Sequence, residues 1–241
     1  MAADVILDVR ELECAYGNVK VLSGISFQLA SGSVLGIAGE NGAGKSTLVK
    51  SICGLLKAAA GSIECTVPVA AIHQEFNLAP DLTVAENIFL GKEIARSGFL
   101  CRKNMAQRAK ELLDSLKVAI SPDLPVSSLT VAEKQMVEIA KAVASASGVL
   151  IMDEPTTVLN AGETANLFQL VRTLTARGTA VIYISHKLEE VLDFCDHVMV
   201  LRDGEMQGIF PSEELTPRSL AEKMVGRELN RLFPPKLPEV C

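Results

Sequence analysis

At 241 residues the chain is long enough for one large domain or one domain with a lobe, and 49% hydrophobic with 22% charged residues matches a soluble globular composition. A net charge of −6 provides no broad basic surface, which argues against nucleic acid as a partner. No apolar run reaches the ~18 residues of a bilayer crossing, Met1 to Val5 lacks the basic start of a secretion signal, and the six cysteines form no C-x-x-C pair; the expectation is a cytosolic chain with free thiols and neither a zinc nor a dithiol site.

In chain order, residues 4–14 and 19–30 alternate apolar and polar side chains around Tyr16-Gly17-Asn18, which predicts an antiparallel ribbon. Val34 to Ala38 reads as a buried strand and Ser46 to Leu56 as an amphipathic helix. Between them stands Gly39-Glu40-Asn41-Gly42-Ala43-Gly44-Lys45-Ser46-Thr47, which fits G-x-x-x-x-G-K-[ST]. Glycines let successive amide N–H groups turn toward an anion, Lys45 can place its ammonium between terminal phosphates, and the Ser46 hydroxyl suits Mg²⁺. The helix that follows points its positive end at the same anion. Residues 76–147 differ in kind: Leu82 to Ile88 and Met105 to Leu116 have helical spacing, with Ser121 to Pro125 as a breaker between them. They predict a helical lobe inserted into a core of residues 1–75 and 148–226. Val149 to Met152, Ala180 to Ile184 and Val198 to Leu201 read as short buried strands, separated by helices at about 161–177 and 187–195. Strand and helix alternate, so the predicted fold is α/β: a P-loop NTPase core with a largely parallel sheet, an antiparallel β subdomain at the N-terminal side and the helical lobe. Asp203-Gly204 provides a hairpin turn, and residues 227–241, with their Phe-Pro-Pro segment, are linker-like.

Val149 to Thr156 places two adjacent acids, Asp153 and Glu154, at the end of an apolar strand, where open α/β sheets present ligand-binding groups. In a chain with a phosphate loop this is a Walker B pattern. Asp153 would hold Mg²⁺ through its water shell, and Glu154 would orient or deprotonate the water that attacks a γ-phosphate.

Leu129-Thr130-Val131-Ala132-Glu133, opening a helix ahead of Asp153, resembles the signature motif of ABC-type ATPases. Gln74 resembles their Q-loop, His186 their switch histidine, Tyr16 the aromatic residue of their A-loop, and Thr157 to Asn160 their D-loop. The resemblance runs over nearly the whole chain in the family's order. The wording of GENGAGKSTL, IHQEFNL, LTVAENIFLGKE and QMVEIAKA is similar to the amino-terminal ATPase half of bacterial monosaccharide importers of the ribose, galactose and xylose type. This resemblance implies ATP and Mg²⁺ as ligands and ATP hydrolysis as the reaction. It assigns adenine stacking to Tyr16, Mg²⁺ or water contact to Gln74, and γ-phosphate sensing to His186. It also implies a second ATPase half or subunit, a transmembrane permease, an indirect link to a periplasmic or extracellular binding protein, and a place on the inner face of the cell membrane. A soluble ABC-type mechanical ATPase acting on ribosome or DNA, or an importer ATPase for another solute, remains the alternative. The chain departs from the family in two places. Gln74 stands only thirteen positions after Gly61, so a strand pair or loop there is expected to be shortened. The signature has Val131 and Glu133 where the usual Leu-Ser-Gly-Gly-Gln has glycine and glutamine, which predicts a weakened contact to a partner's γ-phosphate.

Overall fold

The computed structural model describes residues 4–72, 76–96, 99–145 and 148–226. The N-terminal ribbon is β1 (Val5–Tyr16) paired antiparallel with β2 (Val19–Ala30), with Tyr16 opposite Val19 across the turn. Its alternation skips at Arg10-Glu11, where the register shifts and Glu11 takes φ 46°, so that Leu12 and Cys14 return to the buried face after Leu7 and Val9. β3 (Val34–Ala38) follows, then β4 (Ala60–Cys65) and β5 (Val69–Ile72). β4 pairs with β1 and completes a three-stranded antiparallel sheet of order β2-β1-β4. The short stretch after Gly61 therefore holds strands of two different sheets.

β6 (Ala95–Arg96) and β7 (Phe99–Leu100) form a two-residue ribbon, and β8 (Val149–Asp153), β9 (Ala180–Ile184), β10 (His197–Arg202) and β11 (Glu205–Pro211) complete the strands. The main sheet has order β11-β10-β3-β9-β8-β5, parallel throughout except for the β10–β11 hairpin. Its central strands are apolar on both faces because elements cover both. Asp203 and Gly204 carry the two positive φ values, 51° and 80°, that a two-residue hairpin turn with right-handed twist requires. The expected α/β fold, mostly parallel with an antiparallel sheet beside it, is borne out.

α1 (Lys45–Ile52) stops short of the expected Leu56. Gly54 enters the left-handed region at φ 71°, and Leu55 N–H bonds back to Lys50 O, which closes the helix. Between β5 and β8 lie α2 (Val84–Ile88), α3 (Arg102–Ser115) and α4 (Val131–Ser145), packed around Val84, Ala109, Leu113, Met136 and Val137. α5 (Ala161–Thr175) and α6 (Leu188–Phe194) fall where expected, whereas α7 (Pro217–Val225) was not foreseen. Its signal was present: Thr216 caps the helix and Pro217 occupies its first position. The words Leu82-Thr83-Val84-Ala85-Glu86 and Leu129-Thr130-Val131-Ala132-Glu133 are identical, and each opens a helix with Thr and Glu bonded reciprocally. The local cap is the same in both places, but Val84 is fully buried and Val131 is 54% exposed.

Candidate nucleotide site

The glycine loop joins the end of β3 to α1. A Cβ at Gly39 would lie 2.5 Å from Leu201 O, and one at Gly44, φ 101°, would lie 2.5 Å from Leu22 Cδ2. Close packing and backbone sign thus both demand glycine at Gly44. Ala43 is buried beneath the loop, and its N–H donates to Glu40 O. Lys45 Nζ donates to Gly39 O at 2.6 Å and to Glu40 O at 2.9 Å, so its ammonium is held at the loop's own centre. Burial lowers its pKa from the ordinary lysine value, against the opposing pull of Asp153 and Glu154.

β8 and β9 bring the acids alongside. Asp153 pairs with Ile184, and Glu154 N–H donates to Ile184 O at 2.8 Å. Glu154 has φ 51°, a left-handed conformation that costs a side-chain-bearing residue about 1–2 kcal/mol and persists only where its surroundings enforce it. Thr157 Oγ1 donates to its carbonyl at 3.2 Å. Glu154 Oε2 lies 3.2 Å from His186 Nδ1, with the histidine side chain 61% exposed and the glutamate 23%. These groups and Asn41, Gly42, Gly44, Lys45, Ser46, Thr47 and Asp153 line one open cleft of about 750 Å³. Val21 of β2 also lines it. Sequence reasoning missed this valine, because a single apolar residue on a ribbon carries no chemical signal.

The other expected site residues fall elsewhere. Gly39, Glu40 and Ala43 shape the loop without lining the cleft, and Tyr16, half-exposed at the end of β1, also lies outside the lining. Gln74 lies outside the described residues. The chain beyond it is held: Asn77 N–H donates to Glu138 Oε1 at 2.6 Å, and Lys141 Nζ donates to Asn77 O at 2.6 Å, both from α4. Of the signature segment, Leu129 is buried, Thr130 and Val131 are exposed, and none lines this chain's own cleft. The Glu133 carboxylate accepts from Thr130 N–H and Thr130 Oγ1 at 2.8 Å each, and these bonds hold its pKa below the usual carboxylate value.

The cleft therefore combines an anion-binding loop, an ammonium, hard oxygen donors from Ser46 and Asp153 of the kind Mg²⁺ selects, and a carboxylate beside an imidazole. Such a set can bind a polyphosphate and activate water. The sequence profile of the ABC transporter family matches residues 22–157, more than half of the chain. This chain belongs to the ABC transporter family. The ABC transporter chain is 41% identical to ribose import ATP-binding protein RbsA 3 of Rubrobacter xylanophilus, over 98% of its own length and 50% of the relative's. It is 39% identical to ribose import ATP-binding protein RbsA of Bacillus subtilis, over 97% and 50%. The ABC transporter chain thus spans about half the length of these curated relatives. Among solved structures, an ATP-binding cassette of an ABC transporter superposes with TM-score 0.78 at 26% identity, covering 92% of this chain and 98% of that one. The protein cbiO1 of Clostridium perfringens, part of an ABC transporter complex, superposes with TM-score 0.75 at 27% identity, covering 96% of both. No helix among the described residues is long and apolar enough to cross a membrane.

Proposed function

We propose that the chain is an ATP-binding and hydrolysing half of a sugar importer, acting peripherally on the inner face of the cell membrane. The observation that carries this reading is the convergence of Lys45, Asp153, Glu154 and His186 in one cleft at the strand ends. The names of the relatives, ribose import ATP-binding proteins, support sugar as the solute class. Residues 1–226 would form one nucleotide-binding domain with residues 76–147 as its helical lobe, and residues 227–241 would lead toward a second ATPase half.

In this reading Gly39 to Thr47 cradle the phosphates and Tyr16 stacks on adenine. Ser46 and Asp153 hold Mg²⁺, with Gln74 assigned the same duty on sequence position alone. When bound, the ion neutralises charge on the terminal phosphates. Glu154 takes the proton of a water whose oxygen bonds to the γ-phosphorus. The bond from that phosphorus to ADP breaks, and its electron pair stays on the ADP oxygen. His186 hydrogen-bonds the γ-phosphate, and Leu129 to Glu133 face the nucleotide held by the other half. The helical lobe carries the contact to a transmembrane permease, which a binding protein outside the membrane loads.

Lys45→Ala should weaken ATP binding, whereas Glu154→Gln should retain binding and lose turnover, because the carboxylate acts in the transition state. Equilibrium ATP binding and steady-state hydrolysis measure both, and undiminished turnover in Glu154→Gln would remove Glu154 from its role.

A further inference from the structure

Beside the Glu154–His186 pair lies a set of polar contacts that the reaction as written leaves unused. Glu190, on α6, accepts Thr156 Oγ1 at 2.6 Å and Tyr183 OH at 2.9 Å on Oε2, and Lys187 Nζ at 2.8 Å on Oε1. Lys187 Nζ also reaches Thr156 O at 3.4 Å. Thr156 stands two residues after Glu154 and is buried, and Lys187 follows His186 directly. The Tyr183 ring packs edge-on against the stacked pair Phe168 and Phe194, with centroids 5.9 and 5.2 Å away, which restrains the direction of its hydroxyl. Burial raises the Glu190 carboxyl, but the bonds from Lys187, Thr156 and Tyr183 outweigh it and keep the group ionised at neutral pH.

One carboxylate therefore grips the chain just past Glu154 and the chain just past His186. Their strands, β8 and β9, are neighbours, and sheet pairing ends at Asp153 and Ile184. One further backbone bond, Glu154 N–H to Ile184 O, joins the two exits, and past it the contacts that link them come from side chains. Glu154 also has the greater need of restraint, since its left-handed backbone relaxes unless its neighbours hold it.

We propose that Glu190 is a positioning residue, which sets the separation and orientation of Glu154 and His186 by anchoring Thr156 and Lys187 to one carboxylate. The proposal rests on the reading of Glu154 and His186 given above. It assigns Glu190 no contact with nucleotide: its effect belongs to the geometry of attack, where displacements near 1 Å change rates by up to about a hundredfold.

The test is Glu190→Gln, which keeps the shape but turns an N–H donor or a neutral oxygen toward Lys187, with Thr156→Val as a second variant that deletes one bond at nearly constant volume. At a protein concentration where the rate has levelled off, Glu190→Gln should lower kcat about tenfold or more and change ATP affinity and KM by less than about twofold. Thr156→Val should act in the same direction by a smaller factor, and Glu190→Asp should recover part of the loss. Unchanged kcat with a lowered melting temperature would overturn the proposal, as would parallel loss of ATP binding and kcat. If Glu190→Gln does not fold, the kcat-against-KM split in Thr156→Val decides. Glu154→Gln run in parallel separates the two readings: full turnover there refutes the assignment of Glu154, whereas its loss beside an indifferent Glu190 refutes only the positioning role.

Discussion

Replacing Thr130 by alanine should cost stability and leave ATP turnover nearly intact. The Thr130 hydroxyl donates to Glu133 and accepts from the Glu133 N–H, so it is committed to capping its own helix. Loss of a threonine cap costs about 0.5–2 kcal/mol, and the exposure of this one places it near 1 kcal/mol at most. For a chain of this size that corresponds to a fall of about 2–4 °C in melting temperature per kcal/mol. In a site shared between two halves, the same hydroxyl can offer a partner's γ-phosphate only what the cap releases. Val131 adds an exposed branched side chain at the approach. Turnover of the paired assembly should then change by less than about threefold, against a loss on the order of 10²–10⁴ for Glu154→Gln. In the proposed paired assembly, the site built on this chain's own phosphate loop would borrow the other half's signature and should carry most of the turnover. Thermal melting of the isolated chain and steady-state hydrolysis by the assembly measure the two effects. Thr83→Ala serves as the comparator: it removes the same cap from the identical word, and its melting temperature should fall at least as far, since Glu86 there also meets Arg102 at 3.4 Å. If Thr130→Ala leaves melting unchanged and stops hydrolysis as Glu154→Gln does, Thr130 works on the phosphate and the reasoning fails.

Two further expectations concern assembly and acid. Because the signature segment lies outside its own cleft, the isolated chain should bind ATP as a monomer yet hydrolyse it slowly, with a specific rate that rises with protein concentration; full activity in dilute monomer, checked by sedimentation, would contradict a shared site. Glu190 has its folded pKa below the unfolded value, so its contribution is fully present above the ordinary carboxylate pKa of about 4.3 and is lost as pH falls through the folded value. The difference in melting temperature between the wild type and Glu190→Gln should accordingly shrink as pH drops below about 4.3, and a difference that grows instead would show that the carboxylate is not stabilised in the fold.

Most of the main sheet was legible because parallel strands buried on both faces leave unbroken apolar runs, as in Val149 to Met152 and Ala180 to Ile184. β5 escaped notice: Val69 to Ile72 is only a short strand, and all but Ile72 are partly exposed. The phosphate loop and the acids after β8 were readable because their function demands particular residue types at fixed spacing. Glu190 was not, since a glutamate in Leu188-Glu-Glu-Val looks like any solvated helix face until the Tyr183 hydroxyl is seen to point at it. The Asn77 clamp was hidden for the same reason, as its two grips come from residues more than sixty positions away. The effect of Glu133 needed structure too. Its charge was visible, but its engagement with Thr130 depends on where the helix begins.

The order of strands in the main sheet also dictates when the site can exist during synthesis. β3, which ends in the phosphate loop, has β9 and β10 as its two neighbours, and both emerge long after it. Val34 N–H is held by Asp196, and Gly39 packs on Leu201. A nascent chain that has released the loop, the ribbon and the whole helical lobe still carries β3 as an apolar strand open on both edges, a ready template for wrong pairing. Fragments ending before β10 should therefore contain the complete glycine motif without the pocket it serves. ATP should then stabilise only chains that have released β10, and should offer no protection to those that stall before it.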